Sequence, residues 1–368
     1  MRGASFTGGL LAILLVASSA APAIARPGDL IVTSYPSGNL VGNVVRVDRA
    51  TGDQSLISDD PRLERPQGLT FSPAGKIFVA DYGSEKIFRI SPGTGQTTVA
   101  SADSEFDSPQ YVDMGPDRNL YVADATVGSL FRIAPGSSNA VPFSSGGLLP
   151  SPYGVEVLHD ASILVGDDDG PRLVRVNRAT GAQDLVADTS SQDPYLAGLT
   201  EAPNGIVYAS TSDPAILRIN PETGGVSTVA SDGLLHYVYD VAIAPNGKLY
   251  VTNYSSTPGD PEVLKINPRT GAQSVVAREG DKLDAAAGIE IEPPRCGGRL
   301  ATIVGSTKAD HLKGSRFPDV IAGLKGNDVI KGLKGDDRLC GGRGRDRLIG
   351  GPGHDRLIGG PGHDVTRQ

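Results

Sequence analysis

Tryptophan is absent from the 368 residues, aromatic side chains make up 5%, and there are only two cysteines. A disulfide-dense scaffold is thereby excluded, and a core must be assembled from aliphatic side chains. Long hydrophobic runs are missing too. The apolar stretch at residues 10–16 falls far short of the roughly 20 residues that a membrane span needs, and nothing later is longer. With Arg2 before it and Ala23-Ile24-Ala25 after it, the stretch reads as a secretory signal peptide over residues 1–25. The expectation is a secreted chain starting at Arg26, extracellular or associated with the cell envelope, with no stable membrane span. Positive charge is scarce in the body. Residues 26–292 carry 19 Lys and Arg against 34 Asp and Glu, whereas residues 293–368 carry 14 against 8. An acidic body excludes nucleic acid as a partner, because that contact needs a basic surface to displace counterions. No nucleophile elbow, phosphate loop or HExxH helix occurs, and no catalytic residue is assigned.

Glycine and proline are plentiful, at 48 and 27 residues. Their positions divide residues 66–101 into four expected strands, at 68–71, 76–80, 86–90 and 96–100, separated by Ser-Pro-Ala-Gly and Ser-Pro-Gly-Thr-Gly turns. The apolar runs are nearly continuous, as in strands covered on both faces. The unit recurs. Its second strand ends at Asp81, Asp124, Asp167, Ser210 and Asn253, 43 residues apart, with Ser34 preceding by 47. Third-strand cations keep step at Arg46, Arg89, Arg132, Arg175, Arg218 and Lys265. Such a period with four strands per unit predicts a six-bladed β-propeller over residues 26–292. Residues 29–33 read as a second strand and 287–292 as a first strand, so the two ends would complete one blade and close the ring.

The turns between first and second strands, and between third and fourth, are short and alike. Loops on the opposite face vary, and that face is where a ligand would be sought. Asp113, Glu156, Asp240 and Glu290 fall on first strands nearest the axis, where hard oxygen ligands could hold a divalent ion. The competing reading makes the second-strand Asp and Asn residues loop caps, with third-strand Arg residues neutralising neighbouring carboxylates. The acidic loop Asp167-Asp168-Asp169-Gly170 lacks the spacing of an EF-hand, and His236 is a lone imidazole.

The units IFVADYGSEKIFRI, LYVADATVGSLFRI and LYVTNYSSTPGDPEVLKI resemble the NHL-type and gluconolactonase-like six-bladed propellers. Hydrolases of the latter group hold a divalent metal with Glu, Asn and Asp. That set does not map residue by residue onto this chain, so the resemblance implies fold more firmly than activity.

From Gly305 the sequence falls into seven consecutive nonads, beginning at Gly305, Gly314, Gly323, Gly332, Gly341, Gly350 and Gly359. Asp is sixth in each, at Asp310, Asp319, Asp328, Asp337, Asp346, Asp355 and Asp364, and Leu or Ile is eighth until Thr366. These nonads resemble the RTX, or haemolysin-type, calcium repeat GGxGxDxUx. The resemblance implies a parallel β-roll over residues 305–368, two nonads to a coil, after a linker at 293–304. It also implies Ca²⁺ between coils, held by aspartate carboxylates and glycine-turn carbonyls. The implied calcium residues are Asp328, Asp337, Asp346, Asp355 and Asp364, with Gly323, Gly326, Gly332, Gly335, Gly341, Gly342, Gly344, Gly350, Gly351, Gly353, Gly359, Gly360 and Gly362. Leu324 and Leu333 replace the second glycine of their nonads. The first two nonads lack the fourth-position glycine, so Asp310 and Asp319 are read as caps. Arg338, Arg343, Arg345, Arg347 and Arg356 offset the acidic ladder, which implies a shallower calcium dependence than an Asp-rich tail would show. In a secreted chain Cys296 and Cys340 read as one disulfide.

Fold class is thus expected to be all-β, a six-bladed propeller followed by a short β-roll. The function expected is a secreted calcium-binding protein whose propeller binds an unidentified small molecule or envelope component. The alternative is a metal-dependent lactonase-like hydrolase or lyase working in the channel.

Overall fold

The computed structural model describes residues 28–35, 41–191, 195–211, 213–254, 260–279 and 282–368. The expected signal peptide lies outside them. No helix is found among the described residues, so none is long and apolar enough to cross a membrane.

Six four-stranded antiparallel sheets form the propeller. Blade I joins the two ends of the domain: Ala286–Ile291 supplies its first strand and pairs antiparallel with Leu30–Ser34, followed by Asn43–Val47 and Gln54–Ser58. Blade II is Pro66–Phe71, Ile77–Asp81, Lys86–Ile90 and Thr97–Ser101, close to the spans expected from sequence. Blades III to VI repeat it, with first strands Pro109–Met114, Pro152–Val157, Leu196–Glu201 and Tyr237–Ile243. The continuous apolar runs are covered on both faces as expected. Leu120–Asp124, Ile163–Asp167 and Val207–Thr211 are buried at every position, whereas the outermost strands, such as Gln183–Asp188, are largely open to solvent. Mainly aliphatic clusters fill the propeller, with Tyr121, Phe88 and Phe131 as the largest fully buried side chains.

The 43-residue step errs once. In blade V the residue matching Asp167 and Asn253 is Thr211, since Thr211 closes the strand paired to Leu196 and Ser210 pairs with Ile216. A one-residue slip in a strand moves a side chain to the opposite face. Ser210 accordingly faces inward, accepting from Gly198 N at 2.8 Å and donating to Tyr239 O at 3.0 Å. Thr33 does the same in blade I, joining Gln67 O and Gly288 N.

Behind the propeller the chain forms a parallel β-roll of about four turns. One sheet contains Ile303–Val304, Val320–Lys325, Arg338–Arg343 and Arg356–Ile358; the other contains His311–Lys313, Val329–Lys331, Arg347–Ile349 and Val365–Arg367. Partners are 18 residues apart, so two nonads make one coil. Ile303, Leu312, Ile321, Ile330, Leu339 and Leu348 fill the thin interior.

Cys296 and Cys340 are bonded, with Cα atoms 5.7 Å apart. The link ties the short hairpin Arg295–Cys296/Arg299–Leu300 to the roll's middle strand. Closing this 44-residue separation contributes about 4 kcal/mol by the chain-entropy estimate. Replacing both cysteines by serine is expected to lower the roll's calorimetric transition and leave the propeller's in place. A shift of both transitions together would contradict a role confined to the roll.

Candidate functional site

The repeated geometry of the roll's turns places the nonad aspartates along two edges. Asp310, Asp328, Asp346 and Asp364 share one edge, and Asp319, Asp337 and Asp355 the other. From Asp328 onward each carboxylate caps the preceding coil through Oδ1: Asp328 accepts from Asp310 N (2.9 Å), Asp346 from Asp328 N (2.9 Å) and Asp355 from Asp337 N (3.0 Å). Their second oxygens are different. Oδ2 of Asp328, Asp337, Asp346 and Asp355 is buried and meets no hydrogen-bond donor among the described residues. A buried carboxylate oxygen left unpaired costs about 1–3 kcal/mol, so four in a regular series point to a cation.

Glycine is required around these oxygens because neighbouring carbonyls crowd in. A Cβ on Gly341 would lie 2.7 Å from Gly359 O, and one on Gly332 would lie 2.8 Å from Gly350 O. At the fourth position the crowding is harsher, with Gly344, Gly353 and Gly362 each facing the carbonyl of the glycine 18 residues earlier. An array of inward carbonyls and orphaned carboxylates suits a hard divalent ion. Among the described residues no three His, Cys, Asp or Glu side chains converge on one point, so main-chain oxygens must complete any such cage.

The first two nonads depart from this pattern. Lys308 and Phe317 occupy the fourth position, and neither has positive φ. Oδ2 of Asp310 accepts from Ser306 N at 2.6 Å, and Oδ2 of Asp319 accepts from Ser315 N and Ser315 Oγ. Serine donors fill here what is left open further along.

Burial raises the Asp328 carboxyl to about 6 and Asp337 to about 7, against the pull of their main-chain donors. Both values exceed the ordinary 3.8, so the folded, metal-free roll retains protons that the unfolded chain has lost. Stability from this source is complete below about pH 4 and disappears as pH rises through 6 to 7. Without calcium the roll is expected to keep more of its fold at pH 5 than at pH 8, where these carboxyls are ionised, and with saturating calcium the order reverses. Thermal scans at the two pH values, with chelator and with calcium, check both signs.

The propeller's second-strand acids are loop caps. Asp81 accepts from Glu64 N, Arg65 N and Ser84 N; Asp124 from Asp107 N, Ser108 N and Val127 N; Asp167 from Ser151 N and Gly170 N. Asn253 accepts from His236 N. The expected neutralising role of the third-strand cations holds in part. Arg46 is buried between Asp29 and Glu292 and Arg175 pairs with Glu222, but Arg132 lies over the Phe143 ring and Arg89 bonds Thr98.

Register separates the four axial acids. Asp113, Glu156 and Glu290 share one ring position, each paired across to the strand residue opposite its third-strand cation, with Thr70 and Thr200 on the same ring. The corresponding residue of blade VI is Ala242, and Asp240 stands two residues earlier. Burial raises the carboxyls of Asp113, Glu156 and Glu290, reinforced for Glu156 by Asp113 and Glu290, and carries Glu290 to about 8. Glu156 and Glu290 line two adjoining cavities of about 160 and 380 Å³, Asp113 only the smaller, and Ala301 and Thr302 line both. The roll therefore covers this end of the channel. It docks on the short, alike turns: Leu300 N donates to Pro73 O (3.0 Å), and Arg178, paired to Asp117 at 2.6 Å, lies over the Phe317 ring. Sequence reasoning missed that interface; Phe317, an aromatic residue where a glycine was due, was its one signal.

Comparison with known proteins agrees with this division. No curated protein sequence matches the chain. A chain of the solved nidogen/laminin complex is similar in fold, with a TM-score of 0.60 and 16% identity over 72% of this chain and 97% of that one. A streptogramin B lyase structure is also similar, with a TM-score of 0.46 and 15% identity over 57% of this chain and 67% of that one. Segments 313–348 and 332–365 match the RTX calcium-binding nonapeptide repeat (4 copies). The chain is a six-bladed propeller carrying RTX calcium-binding repeats in a parallel roll behind it.

Proposed function

We propose that this is a secreted binding module in which a calcium-loaded roll stiffens and covers one end of a propeller whose opposite end is presented to a ligand. The observation that carries the calcium half is the series of four buried, unpaired Oδ2 atoms. In this reading Asp328, Asp337, Asp346 and Asp355 hold the ions with Asp364 and the glycine-turn carbonyls. Calcium supplies the positive charge that those oxygens lack. Secretion is supported by the signal-peptide pattern of residues 1–25, and RTX repeats with a disulfide are typical of extracellular proteins. The hydrolase or lyase reading is weaker, because Asp113, Glu156 and Glu290 sit beneath the roll, away from the variable loops.

Calorimetric calcium titration of the full chain tests the proposal. Asp346→Asn is expected to weaken binding at least tenfold at one or more sites, since it removes an otherwise unpaired charge. Asp310→Asn, already satisfied by Ser306, is expected to leave the isotherm nearly unchanged. Equal effects of the two variants, or no calcium uptake by the parent, would overturn it.

A further inference from the structure

Four arginines converge on one cavity where the propeller meets the roll. The cavity, of about 410 Å³, is lined by Arg118 from a blade III turn, Arg299 from the short hairpin, and Arg338 and Arg356 from one sheet of the roll. That volume lies in the range usual for ligand pockets, about 300–1,000 Å³. Register makes two of the four neighbours: Arg338 pairs directly with Arg356 across parallel strands, so both side chains leave the sheet on the same face. A Cβ built on Gly297 would stand 3.2 Å from Nη1 of Arg338 and 3.5 Å from Nε of Arg356, which brings both guanidinium groups to one spot against the hairpin. The disulfide from Cys296 to Cys340 holds that hairpin over the strand bearing Arg338.

The fold leaves these charges unpaired. None of the four makes an ion pair among the described residues, and the one side-chain hydrogen bond donated by any of them there runs from Arg338 to Gly297 O at 3.4 Å. Three aspartates share the cavity, but their carboxylates are engaged elsewhere. Asp319 accepts from Ser315, Asp336 from His354 N and Asp337 from Asp319 N, and the remaining oxygen of Asp337 belongs to the orphaned series described above. Like charges opposite one another in a sheet are destabilising. Arg118 is unfavourable in a second way. At its place in the turn between first and second strands, blades II, V and VI have Gly75, Gly205 and Gly247, blade IV has the small Ala161, and blade III has Arg118 at φ +68°. That left-handed backbone strains a residue with a long side chain, so turn chemistry does not call for arginine. Burial and the Arg299 charge lower the Arg118 pKa, against the pull of Asp319. A cluster unfavourable to folding on two counts suits an oxyanion, because guanidinium forks present paired N–H donors to sulfate or phosphate oxygens.

We propose that this seam binds a sulfate or phosphate group, free or carried as an ester on a small organic molecule, with Arg118, Arg299, Arg338 and Arg356 as its donors. The inference goes beyond calcium and beyond the open face of the propeller.

The test uses the full chain with saturating calcium at constant ionic strength, titrated calorimetrically with inorganic sulfate, with glucose 6-sulfate and with glucose. Saturable uptake of sulfate is expected, and none of glucose. Tighter binding of the ester than of the ion would support the site and identify an esterified ligand; equal or weaker binding would support it and identify the free ion. Arg118→Gly restores the residue of the sister turns, so melting behaviour should be retained while sulfate binding weakens about tenfold through loss of a charged donor. Arg356→Gln, at an exposed strand position, is expected to weaken binding in the same way. Lys331→Gln removes the same charge from the roll's other sheet and is expected to leave binding unchanged. No saturation up to millimolar sulfate, Arg118→Gly and Arg356→Gln variants that melt and bind like the parent, or equal weakening by Lys331→Gln would each overturn the proposal.

Discussion

Chelating calcium from the full-length protein at pH 8 is expected to melt the roll while the propeller stays folded. The magnitudes favour a complete loss. The roll spans 64 residues, and a unit of that size has a net stability of about 3–10 kcal/mol. Four buried carboxylate oxygens without donors cost about 1–3 kcal/mol each. Conversely, each site filled at a hundred times its Kd contributes about 2.7 kcal/mol. The roll's interior, one layer of aliphatic side chains, does not replace that stabilisation. The propeller has no such dependence, since its ring is closed by pairing Leu30–Ser34 with Ala286–Ile291. Hydrogen exchange with and without chelator checks this. Protection should disappear from the roll strands and persist in the six blades; uniform protection throughout would mean that the orphaned oxygens are tolerated without metal.

Gly353→Ala is expected to cost at least about 3 kcal/mol and to remove calcium binding at its turn. Gly353 has φ +150°, beyond the region that Leu333 (+80°) and Leu324 (+78°) occupy at the second position of their nonads. From Gly323 onward side chains therefore occur at position two, in Leu324 and Leu333, and not at position four. The obstacle is Gly335 O, a main-chain atom fixed in the ladder, so no rotamer change relieves the clash. Gly93→Ala is the matched control. A Cβ there meets nothing within 4 Å, and the melting temperature should hardly move. If both variants melt alike, steric exclusion at the fourth position is not what the repeat demands.

The difference between nonads shows how much of the site could be read from residues. Replacement of glycine by Lys308 and Phe317 marked the first coil as atypical, and the hydrogen bonds from Ser306 and Ser315 show what stands in for an ion there. The propeller acids were less legible. Asp81, Asp124 and Asp167 followed a period that sequence displays, and their capping role follows from local turn chemistry. Asp240 and Glu290 looked alike in sequence, yet a two-residue offset in their first strands puts them in different layers. Bulges at Gly68, Gly154 and Gly198 shift the register within the first strands, and a slip of one residue reverses a side chain's direction.

By itself the sequence determined the repeating units: blades, because four short apolar runs with turn residues recur at a nearly constant step, and coils, because glycine and aspartate recur every nine residues. Each of those is a local constraint, set by φ, by turn chemistry and by the period of burial. Only the tertiary structure decided which end of the channel the roll covers, that the Tyr111 hydroxyl reaches Tyr239 O on the opposite blade, and that Tyr35 meets Tyr239. Those outcomes depend on contacts across the ring between residues up to 204 positions apart, such as Tyr35 and Tyr239. No local pattern encodes such a contact, because it exists only once the last strand has closed against the first.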